Sequence, residues 1–252
     1  MKFIRIKCSG CLNSFRQPDF HTYHKTLPLP PKTTVAGMIG SALGISPESV
    51  NEEWLQNNRF QMGIVGKNNG KANDLWQIRK YENKQIAAYK KGKESAPYKT
   101  AVIVRELLYA SEFTLYLHFA NEEDFELVSA KMQNPEWVLS LGREDELVLI
   151  QEIKQIVINE TTDISFCNTV LPIDFTTTPY DIILKTESIY DNLMDEAPKS
   201  IKLPIAFSYN NDTGAREANE FQTFSFVYNL PVKPRESKGF YDEELRHSFQ
   251  IF

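Results

Sequence analysis

Long apolar runs are missing from this chain of 252 residues. None approaches the ~20 residues that a helix needs to span a bilayer, so no membrane-spanning helix and no membrane partner are expected. The opening MKFIRIKCSG lacks the apolar core of a signal peptide. Cysteine is scarce: Cys8, Cys11 and Cys167 make no disulfide framework. Together these features lead us to expect a cytoplasmic protein with reduced thiols. There is no G-x-S-x-G, no separated Ser/His/Asp set, no internal repeat and no low-complexity tract. Gly66–Ala72 falls one residue short of a phosphate loop and ends in Ala72 where Ser or Thr would bind the ion. Cys8, Cys11, His21 and His24 are spaced more tightly than zinc-finger ligands, and Pro18 interrupts them. Glu122-Glu123-Asp124 reads as a helix start and Glu144-Asp145-Glu146 as a solvated loop. No metal and no cofactor are expected.

What is present is an uneven charge. The net charge is −5, yet residues 1–105 carry +10, residues 106–159 carry −8 and residues 160–252 carry −7. A basic first part beside an acidic remainder implies one basic binding face. Its densest stretch holds Arg79, Lys80, Lys84, Lys90, Lys91, Lys93, Lys99 and Arg105, opposed only by Glu82 and Glu94. Tyr81, Tyr89 and Tyr98 are interleaved with these cations. Cations neutralise phosphate and aromatic faces stack unpaired bases, so this composition suits single-stranded nucleic acid. A solvated hairpin with ordinary lysines is the alternative reading.

The hydrophobic pattern predicts strands at 2–8 and 60–65, the second followed by a hairpin turn at Asn68-Asn69-Gly70 and a return strand at Leu75–Ile78. Ala101–Leu108 and Phe113–Phe119 read as a second hairpin around Ser111-Glu112, and Leu147–Ile158 as a strand. Helices are predicted at 33–44, near Pro47–Asn57 behind a Ser46 cap, and from an Asn121 cap to Gln133. The expected class is therefore α+β. Residues 1–159 form a ferredoxin-like βαββαβ domain with an insertion near 80–105, and residues 160–252 form a smaller β-rich part.

The segment Ser14–Gly44 is the most distinctive. Around the helix, Val35, Met38, Ile39, Ala42 and Leu43 form an apolar stripe, while Ala36, Gly37, Gly40, Ser41 and Gly44 oppose it. A helix-interior glycine costs about 0.8–1 kcal/mol relative to alanine, so the small face implies close approach by another backbone. Pro30-Pro31 stiffens the entry and Thr33 and Thr34 stand ready to cap. The first turn, with Lys32, offers N–H groups and positive charge to a phosphate. Just before it, His21, Tyr23, His24 and Lys25 contain the residue types that metal-free RNA cleavage needs: a base, an acid and a cation. Polar loop contacts to RNA or water are the plain alternative. His118 lies in an apolar run and reads as a satisfied core histidine.

Ser14-Phe15-Arg16, Leu29–Gly40, Ala42-Leu43-Gly44 and Leu139-Ser140-Leu141-Gly142-Arg143 together resemble the fifth CRISPR-associated protein family, Cas-five. The resemblance implies an RNA-recognition-type fold in which the 80–105 insertion forms a basic β-hairpin thumb. It implies a subunit of a type I Cascade complex in antiviral defence, which holds the 5′ handle of the crRNA and caps the backbone filament; we expect it to be non-catalytic, because Lys99 stands without an adjacent histidine and no Lys-His pair occurs in the later part of the chain. Partners would be the crRNA, the backbone and large subunits, and, as a candidate, target DNA near the guide start. Arg16, Lys32, Thr33, Thr34 and Arg143 would join the thumb cations in RNA binding. For Arg143 a structural ion pair or helix C-cap is the alternative. One branch of the family is itself a metal-independent endoribonuclease, which would make His21, Tyr23 and His24 catalytic.

Overall fold

A computed structural model describes residues 1–20, 23–80, 99–183, 197–209, 216–235 and 238–252. The chain is mixed α and β, with strands dominating. β1 (Lys2–Asn13) runs five residues past the expected end at Cys8, because its pairing with β5 (Lys99–Phe119) continues to Asn13 opposite Leu108. β6 (Leu149–Val157) flanks β1 on its other side. β3 (Phe60–Lys67) pairs with the far half of β5. Around β1 the sheet reads β3-β5-β1-β6, all antiparallel neighbours.

Two expected hairpins do not exist. At Asn68–Gly70 the chain does not reverse; β4 (Lys71–Lys80) continues along the same edge of β5. Asn68 Oδ1 accepts from the Gly70 amide at 3.1 Å, and Gly70 adopts φ 131. The ladder resumes at once, with Asn69 N–H donating to the Tyr109 carbonyl and Tyr109 N–H to the Gly70 carbonyl. Opposite, Ala110 takes φ 47. An Asn-Gly pair serves a bulge as well as a reversal, and here the bulge prevails. Ser111-Glu112 is likewise no turn. Ser111 is buried opposite Gly10, and β5 is a single strand of 21 residues. β4 and the first half of β5 thus form a long ribbon, closing at Lys80 opposite Lys99.

α1 (Lys32–Leu43) and α3 (Glu122–Gln133) cover one face of this sheet. Their apolar residues, Val35, Met38, Ile39, Phe125, Val128 and Met132, meet Ile4, Ile6, Met62, Ile64, Leu115 and Leu117 in the main core. α2 (Pro47–Ser49), capped by Ser46 as expected, runs into a π-helical turn at Val50–Leu55. Asn121 caps α3 through its Oδ1, and three acidic residues sit in its first turn. No helix among the described residues is long and apolar enough to cross a membrane.

On the opposite face β7 (Glu160–Thr162), β13 (Lys238–Asp242) and β14 (His247–Phe249) form a small sheet over Phe3 and Tyr116. It is tied down by Arg5, which is fully buried and pairs with Asp242 at 2.9 Å, Glu152 at 2.8 Å and Glu244 at 3.1 Å. β8 (Thr169–Leu171), β10 (Lys199–Tyr209) and β11 (Arg216–Val227) extend the main sheet beyond β3. The outer hairpin β10–β11 brings residues of the C-terminal part beside α1. β9 (Tyr180–Ile182) pairs with β12 (Val232–Pro234), and β2 (Tyr23–His24) runs parallel to β5 at Val104 and Arg105.

Candidate nucleic-acid interface

The site begins where β1 ends. Asn13 donates through Nδ2 to the Leu141 carbonyl at 2.8 Å. Ser14 donates twice to the buried Glu146 carboxylate, from its amide at 2.6 Å and its hydroxyl at 2.5 Å. The Arg143 amide donates to the same carboxylate at 3.0 Å. Glu146 was expected in a solvated loop; instead its carboxylate is the buried knot that fastens the loop bearing Arg16 to the loop bearing Arg143. Between them Gly142 sits at φ 122, and a Cβ there would lie 2.0 Å from Glu146 Oε2 and 2.7 Å from the Ser14 carbonyl. The Leu-Gly-Arg triplet is thereby explained: Leu141 is buried, Gly142 makes the turn and Arg143 emerges.

From Phe15 onward the loop zips against residues 25–27, with Phe15 N–H donating to Thr26 Oγ1 at 2.8 Å and Leu27 N–H to the Phe15 carbonyl at 2.7 Å. Arg16 is left on the surface. Pro31, extended at φ −74, occupies the N-cap of α1, and no side chain caps the helix. Thr33 and Thr34 therefore sit inside the first turn rather than capping it.

These pieces enclose a cleft of about 680 Å³ lined by Arg16, Pro31, Thr33, Thr34, Arg143 and, from β10 and β11, Phe207 and Arg216. Among the described residues no acidic side chain lines it. Arg216 stacks on Phe207 with 4.4 Å to the ring centre. Arg143 lies 4.8 Å from the Trp76 ring and donates through Nη2 to His24 Nδ1 at 3.0 Å. Burial and the neighbouring Arg105 hold the Arg143 guanidinium below its usual range. Positive charge, a helix N-terminus and the Phe207 ring, in a cleft with no acidic side chain among the described residues, can bind phosphate and pack against a base. A larger hollow of about 890 Å³ lies beside β13, but Glu160, Asp163, Asp242, Glu243 and Glu244 line it. Its sign is wrong for phosphate.

Four expected residues thus meet: Arg16, Thr33, Thr34 and Arg143. Lys32 turns away, bonding Asn58 Oδ1 at 2.8 Å over the Phe60 ring, and burial lowers its ammonium to about 8. Arg105 stands at the ribbon base, paired with Asp74 at 3.0 Å and Asp145 at 3.5 Å. Arg79 and Lys80 lie at the far end of β4, and Lys80 pairs with Lys99 across the ribbon. Lys84, Lys90, Lys91, Lys93 and His21, with Tyr81, Tyr89 and Tyr98, lie outside the described residues.

Tyr23 and His24 do not converge. As neighbours in a strand they face opposite sides of the sheet. The Tyr23 hydroxyl donates towards Glu106 at 3.1 Å and Asn73 at 3.3 Å, and burial with the Glu106 charge pushes it above its usual range. Cys8 is buried within β1, its thiol pushed up to about 12 by that burial, while Cys11 is exposed. His118 is satisfied as expected, its Nδ1 2.9 Å from the Lys2 carbonyl.

The small face of α1 is partly covered from within. A Cβ at Gly40 would meet Val50 at 2.2 Å, and Gly44 is the left-handed C-cap at φ 73. Of the three α1 glycines Gly37 opens onto space, with nothing within 4 Å among the described residues. Sequence reasoning missed Glu146, Trp76, Phe207 and Arg216. Arg216 is a lone cation in an acidic stretch and gives no local signal.

A family model described as CRISPR-associated protein (Cas_Cas5) matches residues 3–176. A search of curated proteins gave no sequence match. Among solved structures, a chain of a CRISPR RNA-guided surveillance complex is similar at TM-score 0.51 and 15% identity, over 94% of this chain and 91% of that one. A CRISPR protein from Archaeoglobus fulgidus is similar at TM-score 0.50 and 12% identity, over 100% of this chain and 99% of that one. At such identities the likeness concerns the fold.

Proposed function

Because the chain belongs to the CRISPR-associated Cas5 family, we propose that it is an RNA-binding, non-catalytic subunit of a type I Cascade effector complex, which holds the 5′ handle of the crRNA in the arginine cleft. The observation that carries this reading is the cleft itself: Arg16, Arg143 and Arg216 beside the N-terminus of α1, with no acidic residue among the described residues of the lining, on a chain of net charge −5. Phosphate contacts would supply most of the affinity, with Phe207 and Trp76 backing the Arg216 and Arg143 guanidinium groups that make them. The strand order β6-β1-β5-β3, with α1 after β1 and α3 after β5, supports reading the core as a ferredoxin-like, RNA-recognition-type unit, and the β4–β5 ribbon as the base of a thumb. Partners would be the backbone and large subunits, with target DNA near the guide start as a further candidate. The opposed directions of Tyr23 and His24 support binding without cleavage.

The test is one binding reaction. End-labelled CRISPR repeat RNA is incubated with the protein in EDTA and run on native and denaturing gels. The expected result is intact RNA with a salt-sensitive shift. A shorter product would make the protein a processing nuclease. Intact RNA that stays unshifted even with the partner subunits present would remove the RNA-binding reading.

A further inference from the structure

His24 is buried on β2, and its Nδ1 lies 3.0 Å from Arg143 Nη2. A guanidinium only donates, so Nδ1 must be the bare, accepting nitrogen and the ring is neutral with its proton on Nε2. Protonation would put an N–H of His24 against an N–H of Arg143 and a second cation beside the first. Among the described residues, the charged groups around the pair that form ion pairs and hydrogen bonds are engaged elsewhere. Arg105, opposite His24 in register on β5, pairs with Asp74 of β4 and Asp145 of the 140–147 loop. Glu146 of that loop binds Ser14 and the Arg143 amide and lies 3.9 Å from Arg105. Arg16, across the cleft, adds a like charge. Arg143 itself has no carboxylate within ion-pair distance among the described residues. Its two supports are the His24 nitrogen and the Trp76 face. A carboxylate in the place of His24 would orient Arg143 but neutralise it. A neutral imidazole orients it and leaves its charge for the ligand.

Resting on the arginine-cleft reading, we infer that His24 is a positioning residue for RNA binding: its bare Nδ1 holds the Arg143 guanidinium in the cleft, and protonation of the ring releases it. The sign is opposite to that of a histidine that contacts phosphate directly, which binds better when charged. The contribution of His24 is present while the ring is neutral and is lost once falling pH protonates it.

The experiment measures binding of fluorescein-labelled single-stranded CRISPR repeat RNA by anisotropy at about pH 8 and about pH 5.5, the interval in which imidazole titrates. Glutamine offers a non-titrating acceptor. Relative to His24→Gln, the wild type should lose about tenfold in affinity on acidification, the scale of one charge-assisted hydrogen bond. His24→Gln should bind at the lower pH as the wild type does at the higher. Arg143→Ala should bind more weakly and follow the His24→Gln profile, since nothing remains for His24 to hold. Parallel pH profiles for wild type and His24→Gln, or tighter wild-type binding in acid than that variant shows, would overturn the inference alone. No binding by the wild type at either pH, with the partner subunits present, would overturn the cleft reading and the inference with it.

Discussion

Replacing Glu146 by alanine should loosen both arginine loops at once. The carboxylate accepts from Ser14 N–H, Ser14 O–H and Arg143 N–H, at 2.6, 2.5 and 3.0 Å, in a site with 4% of its surface exposed. Removing it leaves three donors without an acceptor. A buried donor so stranded costs about 1–3 kcal/mol, and water from the adjoining cleft can reach part of the space, which brings the sum to about 3 kcal/mol. In a chain of this length each kcal/mol shifts the melting temperature by about 2–4 °C, so Glu146→Ala should melt about 6–12 °C lower. Glutamine behaves differently. Its oxygen can take both backbone donors while its amide donates to the Ser14 hydroxyl, which can accept. Glu146→Gln should therefore lose less than about half of the alanine effect, namely the charge alone. Calorimetry of the three proteins, with RNA anisotropy on each, checks both halves. An alanine variant that melts within about 2 °C of the wild type and binds RNA normally would refute the knot.

The α1 glycines predict opposite signs. Gly37→Ala should stabilise the chain by about 0.8–1 kcal/mol, since its Cβ meets nothing, while Gly40→Ala should destabilise it because Val50 lies 2.2 Å away; thermal melts decide. The Arg5 network predicts acid lability. Burial opposes ionisation of Asp242, yet its bonds from Arg5 and Tyr116 outweigh this and lower its pKa, and Arg5 and Lys154 lower Glu244 to about 2. Depressed carboxylates stabilise above their unfolded values and lose that contribution as pH falls through the folded ones, so stability should decline from about pH 4 down to about pH 2. Asp242→Asn should flatten that decline in acid titrations followed by circular dichroism. Trp76→Ala removes the face beneath Arg143; RNA affinity should fall about 2–5-fold, as for one partly exposed cation–π contact.

What the sequence disclosed and what it hid divide along a physical line. Two helix starts were legible because their caps are local: Ser46 and Asn121 do in space what their positions promise, whereas α1 starts at Pro31 with no side-chain cap. The strand count near β5 was not, because Asn-Gly chemistry fits a reversal and a bulge equally, and the choice rests on a partner strand forty residues away. The cleft was half legible. Arg16, Thr33, Thr34 and Arg143 belong to motifs, and the fold gathers them. Lys32 was misleading because residue type says nothing of direction; its ammonium lies over the Phe60 ring and bonds Asn58 instead. Arg216 and Phe207 reach the cleft only through the β10–β11 pairing, which no local pattern encodes. Glu146 looked like surface because acidic runs usually are, and its burial depends on Ser14, 132 positions away.

The central claim is that the arginine cleft binds RNA phosphate. The most direct measurement is the slope of log affinity against log salt for single-stranded CRISPR repeat RNA, comparing the wild type with Arg16→Ala/Arg143→Ala/Arg216→Ala. Each lost phosphate contact on a single strand should lower the slope by about 0.7, so the triple variant should be shallower by about 2 and bind more weakly at every salt concentration. A triple variant that keeps the wild-type slope, while remaining folded, would place the RNA elsewhere and contradict the account.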